Sequence, residues 1–302
     1  MVLDWLPFEL PHPALLAAGV LEGSVLAAVL ALTAVGLSLV FGIMRVVNVA
    51  HGELYMLGAM IGWFVSDAVG GHPALGFLAA LILAPAAVAA IAAAADWLVV
   101  KRVGYQPEAT IVATIGLLYI FQQGALSVFG PVARPVEAPF DLRVQLPWFG
   151  YDVYKLAVIP ASAAVLVVVW LVLTRSRWGL VMRATQADRE TAQAFAIPVE
   201  RVYAGVFALG AGLAALGAVL IAPISQAHYL MGGEPLLLSF IVVILGGLDS
   251  LRGTVVAAVL IGLSDGVIST LYEPTLAKII ATLLVALVLV FRPQGLFGTR
   301  AA

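Results

Sequence analysis

Few side chains in this sequence could do chemistry, and three of them fall in one short segment: Asn48, His51 and Glu53 in NVAHGE. An amide, an imidazole and a carboxylate can bind a polar solute, and they can equally hydrogen-bond free backbone groups. Asn48 and His51 share a helical face if the segment is helical, because they are three residues apart. Two roles therefore stay open: the cluster shapes a solute pathway or its inner gate, or it caps a turn between two helices.

Three further polar side chains interrupt apolar sequence: Gln122, Gln226 and Asp265. Carboxylates inside a membrane usually face a bundle interior or a wet cavity. Asp265 and Gln122 are therefore either pathway residues or partners in helix–helix hydrogen bonds. Gln226 shares a predicted external turn with His228 and Glu234. That turn either contacts a delivered solute and an external partner or is a solvated loop.

The residues that several other kinds of functional site require are absent from the sequence. The sequence has no cysteine, and its four histidines do not have the spacing of metal ligands. It also lacks the motif G-x-x-x-x-G-K-[ST] of a P-loop. Any ATP hydrolysis on which this protein depends must therefore occur on another polypeptide. We expect no catalytic residue, no metal site, no cofactor and no nucleic-acid partner, and thus a protein that is not an enzyme.

Apolar helices must position these residues, since 63% of the 302 residues are hydrophobic and 11% are charged. Soluble domains are about 45–50% apolar and about 25% charged. A span needs about 20 apolar residues. Nine candidate segments occur, the seventh of them too short to span and suited to one limb of a re-entrant hairpin: 16–41, 53–69, 74–99, 109–129, 156–173, 202–222, 236–248, 254–271 and 275–291. The sequence predicts an all-α polytopic membrane protein of about eight to ten transmembrane helices, forming one domain over residues 1–302.

The distribution of lysine and arginine predicts the orientation, because cytoplasmic loops are enriched in both. If the polar segment 175–201 is cytoplasmic, eleven of the fifteen basic residues fall inside and four fall outside. We therefore expect the N-terminus outside and the C-terminus in the cytoplasm. The loop at about 130–155 is then external, and its composition predicts a folded cap or short hairpin. Its aromatic residues Trp148, Tyr151 and Tyr154 are expected at the headgroup level.

Residues 175–201 form the only long polar stretch that is compatible with a helix. Ala184, Ala187, Thr191 and Phe195 recur at helical spacing, and Pro198 is expected to end the helix. Such a helix could receive force from a soluble partner, or it could be an interfacial connection between two spans. The residues alone do not distinguish these roles.

Four segments resemble the permease subunits of ABC importers for branched-chain amino acids, the LivH type. They are GLSLVFGIMRVVNVAHGELYMLGA at 36–59, GLVMRATQADRETAQAFAIPVERV at 179–202, LGGLDSLRGTVVAAVLIG at 245–262 and LVFRPQGLFG at 289–298. The turn N-x-A-H-G-E and the ending RPQGLFG are the most specific. Asp249, Ser250 and Leu251 depart from the Gly-Ser-Ile that many members have there.

The resemblance implies a machine with several subunits in a bacterial cytoplasmic membrane. This chain would be one permease, working with two ATP-binding subunits, a second LivM-like permease and a periplasmic substrate-binding protein. The segment 175–201 would dock into an ATP-binding subunit and couple its two states to those of the pore. The residues that this role implies are Arg183, Ala184, Ala187, Asp188, Glu190, Ala192 and Phe195.

The resemblance also implies alternating access for a leucine-, isoleucine- or valine-like solute. Very similar permeases carry urea, short amides or other amino acids, so the solute stays open. An ion-coupled secondary transporter working alone is a further alternative. It predicts paired carboxylates, or a carboxylate with histidine or lysine, inside the membrane, and Asp265 has no obvious partner in the sequence.

Overall fold

The computed structural model describes residues 13–292 and 294–297. The described chain contains eleven α-helices and one β-hairpin. In chain order they are α1 Pro13–Met44, α2 His51–Val69, α3 Pro73–Ala95, α4 Pro107–Phe129, β1 Arg143–Gln145, β2 Gly150–Asp152, α5 Val153–Arg175, α6 Arg177–Ala187, α7 Arg189–Ala194, α8 Val199–Ser225, α9 Gly233–Gly246, α10 Leu251–Leu271 and α11 Pro274–Phe291. A π-helical turn at Asp96–Val100 extends α3.

Each of the nine predicted spans coincides with a helix. Seven helices of the described chain are long and apolar enough to cross a membrane, so the prediction of a polytopic helical membrane protein is confirmed. The two others are α2 and α9. Helix α9 has 14 residues and is about 21 Å long, less than the hydrocarbon thickness of about 30 Å. It therefore starts or ends inside the bundle.

Helix α1 lies at the centre of the bundle, between α8 and α10. Most of it is buried, as expected for a helix that is apolar on all sides. Glycines allow α1 to pack closely against the helices that it crosses. A Cβ atom on Gly36 would collide with the backbone carbonyl of Gly210 in α8, and one on Gly23 would lie 2.7 Å from the carbonyl oxygen of Gly262 in α10. Small residues let helix backbones approach in this way.

The predicted external hairpin is present, with Arg143 paired to Asp152 and Val144 paired to Tyr151. The expectation for two of its aromatic residues is wrong. Tyr151 and Tyr154 are buried in the protein, and the Tyr154 hydroxyl donates to the Leu220 carbonyl at 2.7 Å. A buried tyrosine needs such a partner for its hydroxyl, and α8 supplies it. Trp148 is exposed.

The polar segment 175–201 is not one helix. It breaks at Asp188, whose backbone is extended, and continues as the short helix α7. The Asp188 carboxylate accepts the N–H groups of Glu190 and Thr191 at 2.9 and 3.1 Å. Aspartate favours such an N-cap because its side chain competes with the helical backbone for hydrogen bonds. Phe195 consequently lies after the end of α7, outside the predicted stripe.

The end of the described chain returns to the α9–α10 turn. The N–H groups of Leu296 and Phe297 donate to the carbonyls of Leu245 and Gly246 at 2.8 and 3.2 Å. These are the last carbonyls of α9, which have no partner within their own helix. The C-terminal motif therefore completes the backbone hydrogen bonding of α9. Pro293 and Gly298 of this motif lie outside the described residues.

The glycine crossing at α1 gives a test of this packing. We expect Gly36→Ala to destabilise the protein by about 1–3 kcal/mol, because the added methyl group meets a backbone carbonyl that has no rotamer to change. Thermal unfolding of the purified protein measures this effect. Gly116→Ala in α4 is the matched control, since nothing lies within 4 Å of its Cβ position. Equal melting temperatures for the two variants would contradict the packing described here.

Candidate functional site

The segment between α1 and α2 folds back into the bundle. His51, the first residue of α2, is buried, and its Nε2 lies 3.0 Å from the Thr33 carbonyl oxygen. Thr33 precedes the end of α1 by eleven residues, about 16 Å along the helix. The sequence predicts this turn near the cytoplasmic boundary. The structure places His51 deeper, because residues 45–50 run back along α1.

The three polar residues of this turn have different environments. Asn48 accepts the Ala50 N–H at 3.1 Å through its side chain, so it caps the turn. Glu53 is buried and accepts one hydrogen bond, from the Gln122 amide of α4 at 3.4 Å. Within the described residues, Glu53 Oε2 and His51 Nδ1 have no hydrogen-bond partner. The fold thus brings together Glu53 and Gln122, which the sequence presents as unrelated candidates.

Helix α9 begins beside the start of α2. The backbones of Gly52 and Gly232 approach so closely that a Cβ on either glycine would collide with the other's carbonyl. From this point α2 runs toward the loop that contains Arg134. This direction follows because Trp63 and Asp67, in the later part of α2, line a cavity together with Arg134. Helix α9 runs the opposite way, toward the turn at Leu248 that lies beside Gly42. Two helix N-termini, each with a positive dipole end, therefore meet inside the bundle.

A cavity of about 280 Å³ adjoins this meeting point. Its wall is mainly apolar and includes a few polar groups. The apolar residues are Leu26, Val29, Leu30, Ile221, Met231 and Leu238, and the polar ones include Thr33, Tyr55, Ser225, His228 and Glu234. Ligand sites commonly combine a hydrophobic lining with a small number of placed polar groups. Within the described residues, the N–H groups of Gly233 and Glu234 donate to no acceptor.

Glu234 forms an ion pair with Lys278 of α11 at 3.0 Å. Asp265 lies behind this pair on α10, where it interacts electrostatically with both partners and accepts a hydrogen bond from Ser269 at 3.4 Å. Asp265 does not line the cavity. Gln226 does not line it either. Gln226 has a left-handed backbone (φ 60°) and begins the loop whose later residues line the cavity.

Sequence reasoning did not propose Thr33 and Tyr55. Tyr55 belongs to the same helix as His51 and Glu53, but a single tyrosine in an apolar run gives no signal that it faces a cavity. The sequence groups Glu234 and His228 with Gln226 in a predicted external turn that either contacts a solute or is a solvated loop, and the structure places both in the wall of the cavity. The sequence feature that indicated Glu234 and His228 was the polar interruption between two apolar runs.

The polar segment 175–201 is exposed over part of its length. Ala187, Asp188, Glu190 and Phe195 are exposed, Ala184 is half-buried and Ala192 is buried. Hydrogen bonds from the Thr191 hydroxyl and the Thr191 and Glu190 N–H groups hold the pKa of Asp188 below its ordinary value.

Arg183 connects the segment to the membrane helices, since its guanidinium donates to the Leu173 carbonyl of α5. A second cavity of about 270 Å³ lies beside it. Met182, Arg183 and Gln186 of α6 line this cavity together with Ser38 of α1 and Asp249 of the α9–α10 turn. The polar segment thus contacts α1, which adjoins the first cavity, and shares the second cavity with the α9–α10 turn.

Comparison with known proteins gives consistent matches over nearly the whole chain. The permease protein LivH of the high-affinity branched-chain amino acid transport system of Salmonella typhimurium is 26% identical over 92% of this chain and 94% of its own length. LivH of Escherichia coli K12 matches with the same identity and coverage. BraD of Pseudomonas aeruginosa, a permease protein of the same kind of system, is 28% identical over 89% of this chain and 91% of its own.

A solved structure supports the fold. PsaBC from Streptococcus pneumoniae, in complex with a Fab, superimposes with a TM-score of 0.50 at 14% identity, covering 91% of this chain and 92% of that chain. The family profile described as branched-chain amino acid transport system, permease component, matches residues 19–290. The chain therefore belongs to the family of permease components of branched-chain amino acid transport systems.

Proposed function

We propose that this protein is the permease subunit of an ATP-driven importer that moves branched-chain amino acids across a bacterial cytoplasmic membrane. The observation on which this depends most is the small cavity at the point where α2 and α9 begin. It combines an aliphatic wall with the Glu234 carboxylate, and within the described residues the backbone N–H of Glu234 donates to no acceptor. These are complementary to the three parts of an aliphatic amino acid.

In this proposal each part of the solute has its own partner. Leu26, Leu30 and Leu238 contact the branched side chain. The carboxylate of the solute accepts hydrogen bonds from the first N–H groups of α9, where the helix dipole favours negative charge. Discontinuous helices bind the carboxylate of substrates in other transporters in this manner. No fixed cation is needed for this contact.

The ammonium group of the solute binds Glu234. That carboxylate already pairs with Lys278, so an arriving ammonium group exchanges with the lysine rather than meeting an unpaired charge. Exchange of one cation for another keeps Glu234 paired at every stage.

Alternating access follows from the two cavities. Thr33 lines the first and Ser38 lines the second, and these residues are about 8 Å apart along α1. The intervening part of α1 is buried. We propose that this barrier is the gate, formed by the Gly52–Gly232 contact and by Asn48, His51, Glu53 and Gln122. Asp265 and Gln226 support the gate from behind the cavity instead of lining the pathway.

The driving force comes from partners. Of two ATP-binding subunits, one contacts the exposed residues from Ala187 to Glu190 and Phe195 of this chain, with Arg183 and Ala184 transmitting the movement to α5 and α1. Ala192 is buried and acts by holding α7 in place. A second LivM-like permease completes the pore, and a periplasmic binding protein delivers the solute to the external loop. Residues 1–302 act in this machine as a single transmembrane permease domain.

One observation favours a second candidate. Glu234, Lys278 and Asp265 form the group of two carboxylates and a lysine that an ion-coupled transporter would need. Such a transporter works alone, whereas the proposed importer does not. Uptake by vesicles that contain this chain without ATP-binding subunits would decide for the second candidate.

The coupling role predicts the effect of a charge reversal. We expect Glu190→Lys to lower ATP-driven uptake about tenfold with normal membrane insertion, which corresponds to losing a contact worth about 1.4 kcal/mol. Glu108→Lys is the matched control, because both glutamates are exposed and lie in the first turn of a helix. Uptake assays in cells that express the complete transporter measure both. Equal uptake by the two variants would contradict docking at α7.

The predicted orientation can be tested with single cysteines, since the natural sequence contains none. We expect a membrane-impermeant maleimide to label Asp141→Cys in intact cells, because the loop at about 130–155 is predicted to be external. It should label Gln193→Cys only after permeabilisation. Both positions are exposed in the structure, so a failure to react reflects sidedness. The reverse pattern would show that the chain is inverted.

The solute contact predicts a selective loss in Glu234→Gln. Removing a charge-assisted hydrogen bond of about 1.5–3 kcal/mol should lower amino acid uptake roughly tenfold or more. Glu200→Gln is a close control: Glu200 also lies in the first turn of a helix, pairs with a lysine at 2.8 Å and has the same exposed fraction of its side chain, 58%. Vesicle uptake of leucine by the reconstituted transporter measures both. A similar loss in the two variants would argue against Glu234 as a solute ligand.

A further inference from the structure

A groove of about 300 Å³ runs along the outside of the bundle between α1, α5 and α10. Apolar side chains line nearly all of it, among them Leu166, Val167, Trp170, Leu173 and Val255. Val167 is 54% exposed and Trp170 is 46% exposed, so the groove is open at the side. Its wall has the chemistry and the sideways opening of a site for a hydrocarbon chain.

One end of the groove is basic. Arg252, in the first turn of α10, lines the groove and also the adjoining cytoplasmic cavity. Among the residues that the structure describes, Arg252 forms no ion pair and no side-chain hydrogen bond. Asp249 lines the adjoining cavity but is not paired with Arg252. Arg183, in the same cavity, is already engaged with the Leu173 carbonyl. The guanidinium of Arg252 is therefore free to bind an anion.

The length and position of the groove match one leaflet of a bilayer. Its α5 wall extends from Leu166 to Leu173, about 10 Å. Helix α5 ends two residues later at Arg175. The groove thus lies in the half of the membrane that borders the arginine-rich side, where Trp170 is at a depth typical of interfacial aromatic residues. Basic residues beside a membrane surface attract anionic lipids.

We propose that this groove binds an anionic phospholipid, with one acyl chain between α5 and α10 and the phosphate on Arg252. A zwitterionic phospholipid also has a phosphate, but its cationic headgroup offsets the attraction to the guanidinium, whereas an anionic phospholipid keeps its net negative charge. This inference does not depend on the proposed function, because it concerns the outer surface and not the solute cavity. The second cavity lies between the groove and α6. A lipid in the groove therefore also supports α5 and α1, the helices to which the polar segment transmits its movement.

The test measures which lipid the purified transporter retains. Wild-type protein is purified from a mixture of phosphatidylglycerol and phosphatidylcholine, and the retained lipids are quantified by native mass spectrometry. We expect phosphatidylglycerol to be enriched about fivefold over phosphatidylcholine, the factor that one arginine near an anionic surface supplies. Arg252→Gln should remove the enrichment, and Val167→Trp, which fills the groove, should displace both lipids.

Arg177→Gln is the matched control, since Arg177 is exposed beside the end of α5 but does not line the groove. It should keep the enrichment. Equal losses from Arg177→Gln and Arg252→Gln would overturn the proposal, because they would indicate general attraction to a basic surface. Equal retention of both lipids by the wild-type protein would also overturn it. A photocrosslinker at position 167 should label lipid, and labelling of a polypeptide instead would assign the groove to another subunit.

Discussion

Backbone N–H and C=O groups inside a bilayer have no water to bind, so each must find a partner within the protein or at a wet cavity. This constraint governs the two helices that begin inside the bundle. The start of α2 is closed by its own turn, with Asn48 accepting the Ala50 N–H and the carbonyl of Ala50 accepting two further N–H groups. The start of α9 is not closed: within the described residues the N–H groups of Gly233 and Glu234 donate to no acceptor, and Glu234 lines the cavity. The place where the constraint is left unmet is where we propose that the solute binds.

Close contact between backbones makes this arrangement possible. Gly52 and Gly232 have no side chains, so the two helix starts can touch. Gly36 and Gly210 permit the same approach between α1 and α8. Such contacts leave little room for adjustment, because a backbone cannot change rotamer. Movement of α9 relative to α2 therefore requires sliding or separation of whole helices, which is the kind of movement that an external motor can drive.

Sequence patterns correctly predicted those structural features whose physical cause lies in residues close together along the chain. Hydropathy placed all nine apolar helices, and the turn composition placed the external hairpin. The polar stretch at 175–201 was recognised, but its helix was predicted without the break at Asp188. That break follows from a choice between two local hydrogen-bonding patterns, helix interior and N-cap, which are close in energy. The burial of Tyr154 was not predicted because it depends on α3 and α8, which are distant in the sequence: its ring packs against Phe77 and its hydroxyl donates to the Leu220 carbonyl.

From the sequence by itself one obtains the membrane class, the helical elements, the family resemblance and the polar residues worth considering. Apolar length and motif spacing encode these properties along the chain. The tertiary structure decided which polar residues meet. It joined Glu53 to Gln122, set Glu234 and Tyr55 in one wall, and moved Asp265 behind that wall. The reason is that a helix presents side chains on every side, and only its packing against other helices determines which side faces a cavity.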